Sequence, residues 1–184
     1  ATAALYYKKS LQTWKKEADD GDAKAALWAA LVYERKLVPD SSPEKSVPYL
    51  LQAAESGNLT AQGLLAFKYR DGLGVPQDAA KAVEWFEKAA SRKDLGAVME
   101  LGIMFRDGKY LPPDREKAFH WFEKGAEWKD PYSMAALADM LLEGTPSAEQ
   151  AARALALYRE AAAVGYFPAA LKLSLIHISE PTRH

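Results

Sequence analysis

The sequence predicts an all-α fold in which helix pairs stack as a repeat array. Three observations predict it. The segment that begins at Gly57 aligns without a gap with the segment that begins at Lys93, which stands 36 positions later. Within each segment, apolar residues recur three and four positions apart, which places them on one face of a helix. Residue types that cap helices stand before each predicted helix.

The same 36-residue offset extends the repeat towards both ends of the chain. The first helix of each unit carries two apolar columns, Ala25, Ala61, Ala97 and Ser133, then Ala29, Leu65, Leu101 and Leu137. The second helix carries two largely aromatic columns, Tyr49, Trp85, Trp121 and Leu157, then Leu50, Phe86, Phe122 and Tyr158. A single unit could not bury these faces, so we expect stability to come from packing between neighbouring units.

The period divides the chain into a half-unit, four full units and a partial unit, at 1–20, 21–56, 57–92, 93–128, 129–164 and 165–172. First helices are expected to begin near Asp22, Asn58, Asp94 and Asp130. Second helices are expected to begin near Ser42, Asp78, Asp114 and Ser147. At the last of these starts, Ser147 and Gln150 have the spacing of a capping box.

Three further residues are expected to end or bend helices. Gly57 and Gly165 suit left-handed turns after the second helices, because glycine adopts that conformation without a steric penalty. Pro48 falls inside a predicted second helix, where we expect it to bend the helix or remove a backbone hydrogen bond.

Composition narrows the classes of partner. The 184 residues carry a formal net charge of −1 and no cysteine. There is no broad basic field for nucleic acid or an anionic membrane, no thiol chemistry, and no apolar run long enough to span a bilayer. We therefore expect no nucleic-acid, membrane or metal partner and no cofactor. The chain opens on Ala1, so we expect the true N-terminus to be missing and leave the compartment open.

Residues with catalytic chemistry are few. His120 stands in a column that otherwise holds Pro48, Glu84 and Ala156, which is typical of a solvent-facing position. Asp71 and Asp107 could work as an acid and a base, but each precedes a glycine in successive units, and this favours a role in turns. The sequence thus predicts no catalytic residue and no enzyme.

The second unit carries the most specific pattern, Ala61, Leu65-Ala66, Tyr69, Gly72-Leu73-Gly74, Asp78, Lys81-Ala82, Trp85-Phe86 and Ala89-Ala90. It resembles the Sel1-like repeat of the tetratricopeptide superfamily, and the resemblance runs from about Lys9 to Leu173. It implies a right-handed superhelical solenoid of antiparallel helix pairs that serves as a scaffold for protein–protein interaction. The alternatives are a structural or regulatory arm of a larger protein and, less favoured, a hydrolase as considered for cysteine-rich relatives.

The resemblance also implies where a partner would bind. In tetratricopeptide-like arrays the first helix of each pair lines the concave side, and the residues two before, two after and five after Leu65 would face the groove. These columns include Gly63, Ala135 and Leu142. We predict that a protein or peptide segment with an apolar anchor and an acidic group contacts Leu27, Leu31, Glu34, Phe67, Arg70, Met99, Ile103, Arg106 and Asp139. Alternatively, Arg70 and Arg106 pair with acidic neighbours and Phe67 is buried between units.

The final residues break every column of the repeat. Leu173 to Arg183 equals, without a mismatch, the translation of a transposase end joined to an adapter used in sequencing libraries. We therefore expect residues 173–184 to be non-native and assign no metal site to His177, Glu180 and His184. We also expect the C-terminal end to fray or self-associate, because the apolar columns of Leu155 and Tyr158 would be partly uncovered there.

Overall fold

The computed structural model describes the backbone of residues 2–179. In this range the chain forms ten α-helices and no β-strand. The helices are α1 Thr2–Asp19, α2 Ala23–Glu34, α3 Pro43–Glu55, α4 Leu59–Asp71, α5 Ala79–Ala90, α6 Leu95–Asp107, α7 Arg115–Glu127, α8 Pro131–Leu141, α9 Ala148–Ala163 and α10 Phe167–Ser179. The predicted all-α class is confirmed.

Neighbouring helices in the sequence pack against each other within two compact units, residues 1–97 and 98–184. In the first unit, α1 packs on α2, α2 on α3, α3 on α4 and α4 on α5. In the second unit, α7 packs on α8, α8 on α9 and α9 on α10. The first helices α2, α4 and α8 are therefore each packed against the second helix that follows them.

The predicted helix starts are confirmed, and most of them use the expected cap. The Asp22 carboxylate accepts hydrogen bonds from the backbone N–H groups of Lys24 and Ala25, and these bonds lower the pKa of Asp22. Equivalent side-chain caps stand at Asn58, Asp78, Asp94, Asp114 and Asp130. Ser147 and Gln150 form both bonds of a capping box.

Ser42 departs from the expected capping pattern. It occupies the N-cap position of α3, but its side chain forms no cap hydrogen bond. The Ser42 side chain is instead the main cause of the lowered pKa of Glu44. Pro43 at the first helical position already supplies a suitable backbone conformation there. Pro48 lies inside α3, which continues through it to Glu55.

The aromatic columns of the second helices contribute to the core, as predicted, although not at every position. Trp85, Phe86 and Phe122 are buried, whereas Tyr49, Trp121 and Leu157 are half-buried. Tyr158 was expected to be partly uncovered, and this expectation is wrong: its side chain is buried. Burial follows because α10 packs on α9 and because the Tyr158 hydroxyl donates a hydrogen bond to Asp139 at 2.6 Å. Leu155 is half-buried.

Helix α10 continues to Ser179, into the segment 173–184 that was expected to be non-native. Leu175 and Ile176 line a cavity there together with Tyr158 and Lys172. Residues 180–184 and the His177 side chain lie outside the described part of the chain, so the site considered at His177, Glu180 and His184 falls outside it too.

Candidate partner-binding surface

The nine predicted partner-binding residues share one property, which is partial exposure. Each is half-buried, namely Leu27, Leu31, Glu34, Phe67, Arg70, Met99, Ile103, Arg106 and Asp139. Ala135, from the same columns, is buried instead. Half-buried residues on first helices can present part of their surface to a partner while packing fixes the rest.

In the first unit, Phe67 and Arg70 form one local cluster. The Phe67 ring meets Phe86 edge-on, with 5.1 Å between the ring centroids. The Arg70 guanidinium carbon lies 4.8 Å from the centre of the Phe67 ring. Two hydrogen bonds of 2.9 and 2.8 Å join Arg70 to the Asp71 carboxylate. Packing and pairing therefore hold both side chains in place.

In the second unit, Arg106 repeats this arrangement. Its Nε donates to Asp107 at 2.6 Å, and its guanidinium carbon lies 5.6 Å from the Phe122 ring centre. The bond to Asp107 is the main cause of the raised pKa of Arg106. Each arginine thus pairs with the aspartate that follows it, as the alternative interpretation of the sequence proposed. Asp71 and Asp107 anchor these arginines beside the turns.

Asp139 lies among cationic and phenolic groups of the second unit. It accepts hydrogen bonds from the Tyr158 hydroxyl at 2.6 Å and from Lys172 Nζ at 2.8 Å. Burial, and then the bond to Asp139, raise the pKa of Tyr158. Arg106, Asp139 and Lys172 line a cavity of about 90 Å³ whose wall includes Tyr132, Tyr158 and Tyr166. The sequence interpretation missed Tyr132, Tyr166 and Lys172, which come from neighbouring helices.

The Glu34 carboxylate is held in place by two side chains of the fold. Its carboxylate lies 2.7 Å from Lys68 Nζ, and it accepts a hydrogen bond from Ser46. The Lys68 side chain is only 4% exposed. Lys68 Nζ also donates to the Leu73 carbonyl at 3.2 Å. A buried lysine needs such a partner, because an unpaired charge in the interior is costly.

Lys68 could have been noticed in the sequence. Its column otherwise holds Val32, Met104 and Met140, so a charged residue stands where the repeat places apolar ones. A lysine at an apolar position predicts a buried acidic partner.

Other chemistry is sparse in the part of the chain that the structure describes. His120 is exposed on α7, as predicted for a surface residue, and its ring meets Trp121 edge-on. Among the described side chains, no group of three or more histidine and acidic residues is placed to hold a metal ion. No helix within 2–179 has both the length and the hydropathy needed to cross a membrane.

Three solved structures have similar folds. A protective antigen present in uropathogenic Escherichia coli strains and displaying an SLR fold is 28% identical, with a TM-score of 0.76, and the match covers 90% of this chain and 36% of that one. A Sel1 repeat protein from Oxalobacter formigenes is 25% identical with a TM-score of 0.69, covering 90% and 70%. The immunity protein Pa5087 from Pseudomonas aeruginosa is 26% identical with a TM-score of 0.50, covering 80% and 55%. The chain thus spans about a third of the length of the first of these proteins.

A comparison with curated proteins finds no match. A family model described as the Sel1 repeat matches the chain four times in succession, at 24–58, 60–94, 96–127 and 131–166. Proteins of this family generally act as protein-interaction scaffolds. Helix pairs, repeated caps and aromatic second-helix columns recur within the matched residues, and the chain therefore belongs to the Sel1 repeat family.

Proposed function

We propose that this protein is a protein-interaction scaffold that binds a peptide or protein segment on the exposed face of its first helices, and that it has no catalytic activity of its own. The observation that carries the proposal is the partial exposure of all nine predicted residues on that face. The segment that suits them has an apolar anchor beside an acidic group.

The first unit by itself offers an apolar surface beside an arginine. Leu27 and Leu31 on α2 and Phe67 on α4 are half-buried, so each keeps surface that a partner could cover. Arginine and aromatic residues are enriched among those that dominate binding energy, and Arg70 lies directly on Phe67. A preordered pair also loses little side-chain entropy on binding.

The second unit by itself offers the same combination. Met99 and Ile103 on α6 are half-buried, and Met adapts its shape to different partners. Arg106 donates its Nε–H to Asp107, and it lines a cavity together with Tyr132 and Lys172. An incoming carboxylate could accept hydrogen bonds from the guanidinium group.

The proposal is tested by selecting peptides from a random display library on the immobilised protein and measuring their affinity by fluorescence anisotropy. We expect selected peptides to combine an apolar residue with Asp or Glu. Phe67→Ala and Arg106→Gln should each weaken binding by about tenfold, the effect typical of an interface residue that matters.

Arg159→Gln is the matched control for Arg106→Gln. Arg159 is an exposed arginine on the second helix α9, so the same change of charge there should leave the affinity unchanged. Circular dichroism verifies that each variant is folded. Folded Phe67→Ala and Arg106→Gln proteins that bind every selected peptide like the wild type would show that the first-helix face is not the binding surface. Turnover in a screen of hydrolase substrates would contradict the non-catalytic assignment.

A further inference from the structure

An aromatic cavity lies between α1 and α2 in the first unit. Its volume is about 300 Å³, and its lining is Tyr6, Tyr7, Trp14, Trp28, Leu31, Val32, Arg35 and Leu37. Trp14 and Trp28 stack with 6.0 Å between their ring centroids, and Tyr6 and Tyr7 meet edge-on. The cavity therefore has aromatic surface contributed by both helices.

The floor of the cavity is rigid and its rim is open. Val32 is buried in a core cluster with Leu11 and Tyr33, against which Trp14 and Tyr7 pack. Trp28 is 53% exposed and Tyr6 is 62% exposed, so the two rings stand at the rim. An exposed group of large aromatic residues over a packed floor is a common feature of sites that receive an apolar side chain.

Arg35 is the charged residue in the lining of this cavity. Comparison with the following repeats shows that its charge is paired differently from theirs. In the next two repeats, 57–92 and 93–128, the corresponding residues are Asp71 and Asp107, and each is paired with the arginine before it. In the repeat at 21–56 the order of the two charges is reversed, because Glu34 is followed by Arg35. Glu34 forms an ion pair with Lys68, and within the described part of the chain Arg35 makes no ion pair.

The charge of Arg35 decides between two ligands that an aromatic site could take. Aromatic cages attract cations, but a cation here would be repelled by the exposed guanidinium of Arg35. A carboxylate would be attracted, and arginine can bind it through two parallel hydrogen bonds. The aromatic rings then remain available for an apolar or aromatic side chain, with offset or edge-to-face contacts.

We propose that the cavity between α1 and α2 is a docking site for a peptide segment that inserts one aromatic side chain and places a neighbouring carboxylate on Arg35. A cavity of about 300 Å³ is at the small end of ligand sites, which fits a single side chain better than a large free ligand. The open rim at Tyr6 and Trp28 leaves room for the flanking peptide. The inference goes beyond the proposed function, because Trp28 and Arg35 lie outside the first-helix columns, and Leu31 is the residue that the two surfaces share.

The test uses three matched peptides, Gly-Ser-Phe-Asp-Ser-Gly, the same peptide with Asn for Asp, and the same peptide with Ala for Phe. Binding is followed by NMR of the tryptophan indole N–H groups at peptide concentrations of about 1 mM, suited to weak single-anchor binding. We expect the Phe–Asp peptide to shift the signals of Trp14 and Trp28 but not that of Trp85. It should bind about fivefold more tightly than the Phe–Asn peptide, the range of an exposed ion pair.

Variants then separate the two parts of the site. Trp28→Ala should abolish binding of the Phe–Asp and Phe–Asn peptides, whereas Arg35→Gln should retain the Phe–Asp peptide but remove its advantage over Phe–Asn. Arg35→Glu should instead favour a peptide with Lys in place of Asp. Leu73→Ala, which removes an equally exposed apolar side chain from the loop after α4, should change nothing.

Three results would overturn the proposal. One is the absence of shifts at Trp14 and Trp28 with the Phe–Asp peptide. Another is equal affinity for Phe–Asp and Phe–Asn in the wild type. The third is concentration-dependent self-association by light scattering that Trp28→Ala removes, since this would make a second copy of the chain the occupant. Because peptides from the display selection are judged by Phe67 and Arg106, either proposal can fail alone.

Discussion

At the scale of single residues, the repeat requires the left-handed backbone conformation at two columns. One column follows the second helices at Gly21, Gly57, Lys93, Lys129 and Gly165, and the other follows the first helices at Lys36, Gly72, Gly108 and Gly144. The left-handed turns predicted at Gly57 and Gly165 are confirmed, with φ of 84° and 90°. The lysines adopt the same conformation, although a Cβ makes it unfavourable. The turn geometry is therefore the same where a lysine stands in place of the glycine.

Lys36→Gly should stabilise the protein. Lys36 has φ of 51°, and removing its Cβ relieves strain that exceeds the extra entropy of glycine in the unfolded chain. We expect the free energy of unfolding to rise by about 0.5 to 1 kcal/mol, measured by urea denaturation. Gly72→Ala, at φ of 72° and with Gln77 Cβ at 3.3 Å from the added Cβ, should lower it.

Lys36→Ala is the control for the lost lysine side chain. Because it keeps a Cβ, it should not reproduce the gain of Lys36→Gly. Equal denaturation midpoints for Lys36→Gly and Lys36→Ala would mean that backbone strain at this position is negligible.

At the scale of helices, the capping residues define where each element begins. Most first turns are closed by an acidic or amide side chain, but two second helices, α3 and α9, begin after serine. Ser147 forms a reciprocal capping box with Gln150, whereas Ser42 forms no cap bond. Both serines occupy the N-cap position, but only Ser147 forms the cap hydrogen bond. Comparing them therefore separates the effect of the serine residue itself from the effect of the hydrogen bond.

Ser147→Ala should lower the free energy of unfolding by about 1 kcal/mol, because the backbone N–H of Gln150 loses its acceptor and the box is broken. Ser42→Ala should cost clearly less, since no helix N–H depends on its side chain. Thermal unfolding of both variants provides the comparison. A Ser42→Ala protein destabilised as much as Ser147→Ala would show that serine contributes through backbone preference and not through the cap bond.

At the scale of the whole molecule, packing between successive repeats depends on matched residue sizes. Gly125 on α7 replaces the alanine found at Ala53, Ala89 and Ala161, and Ser133 on α8 replaces an alanine of the facing column. A Cβ at position 125 would overlap the Ser133 side chain, which is fully buried and bonded to Asp130. The larger residue on one helix is thus accommodated by the smaller one on its neighbour.

Gly125→Ala should lower the free energy of unfolding by about 1 to 3 kcal/mol through overpacking. Adding Ser133→Ala should recover most of this loss, because the pair then matches the alanines of the other units. The coupling free energy comes from a double-mutant cycle in urea. Gly63→Ala, whose added Cβ meets nothing within 4 Å, should be stabilising and shows the effect of alanine alone. Additive effects of Gly125→Ala and Ser133→Ala would exclude the proposed size matching.

The sequence by itself determined the helical class, the repeat, the helix starts and buried aromatic positions such as Phe86 and Phe122. These depend on local signals, namely caps within one turn of a helix and apolar residues spaced three and four apart, which need no knowledge of distant contacts. It also predicted that Phe67 and Arg106 face a partner-binding groove, and this part stays a prediction.

Only the tertiary structure decided which charges are available and where cavities form. The pairing of Glu34 with Lys68, the burial of Tyr158 beside Asp139 and the aromatic cavity of Trp14 and Trp28 each join residues on different helices. Such contacts depend on side-chain direction and on small differences in helix packing, which periodicity does not specify. The repeat therefore predicts the scaffold, while departures from the repeat, resolved in three dimensions, mark the candidate sites.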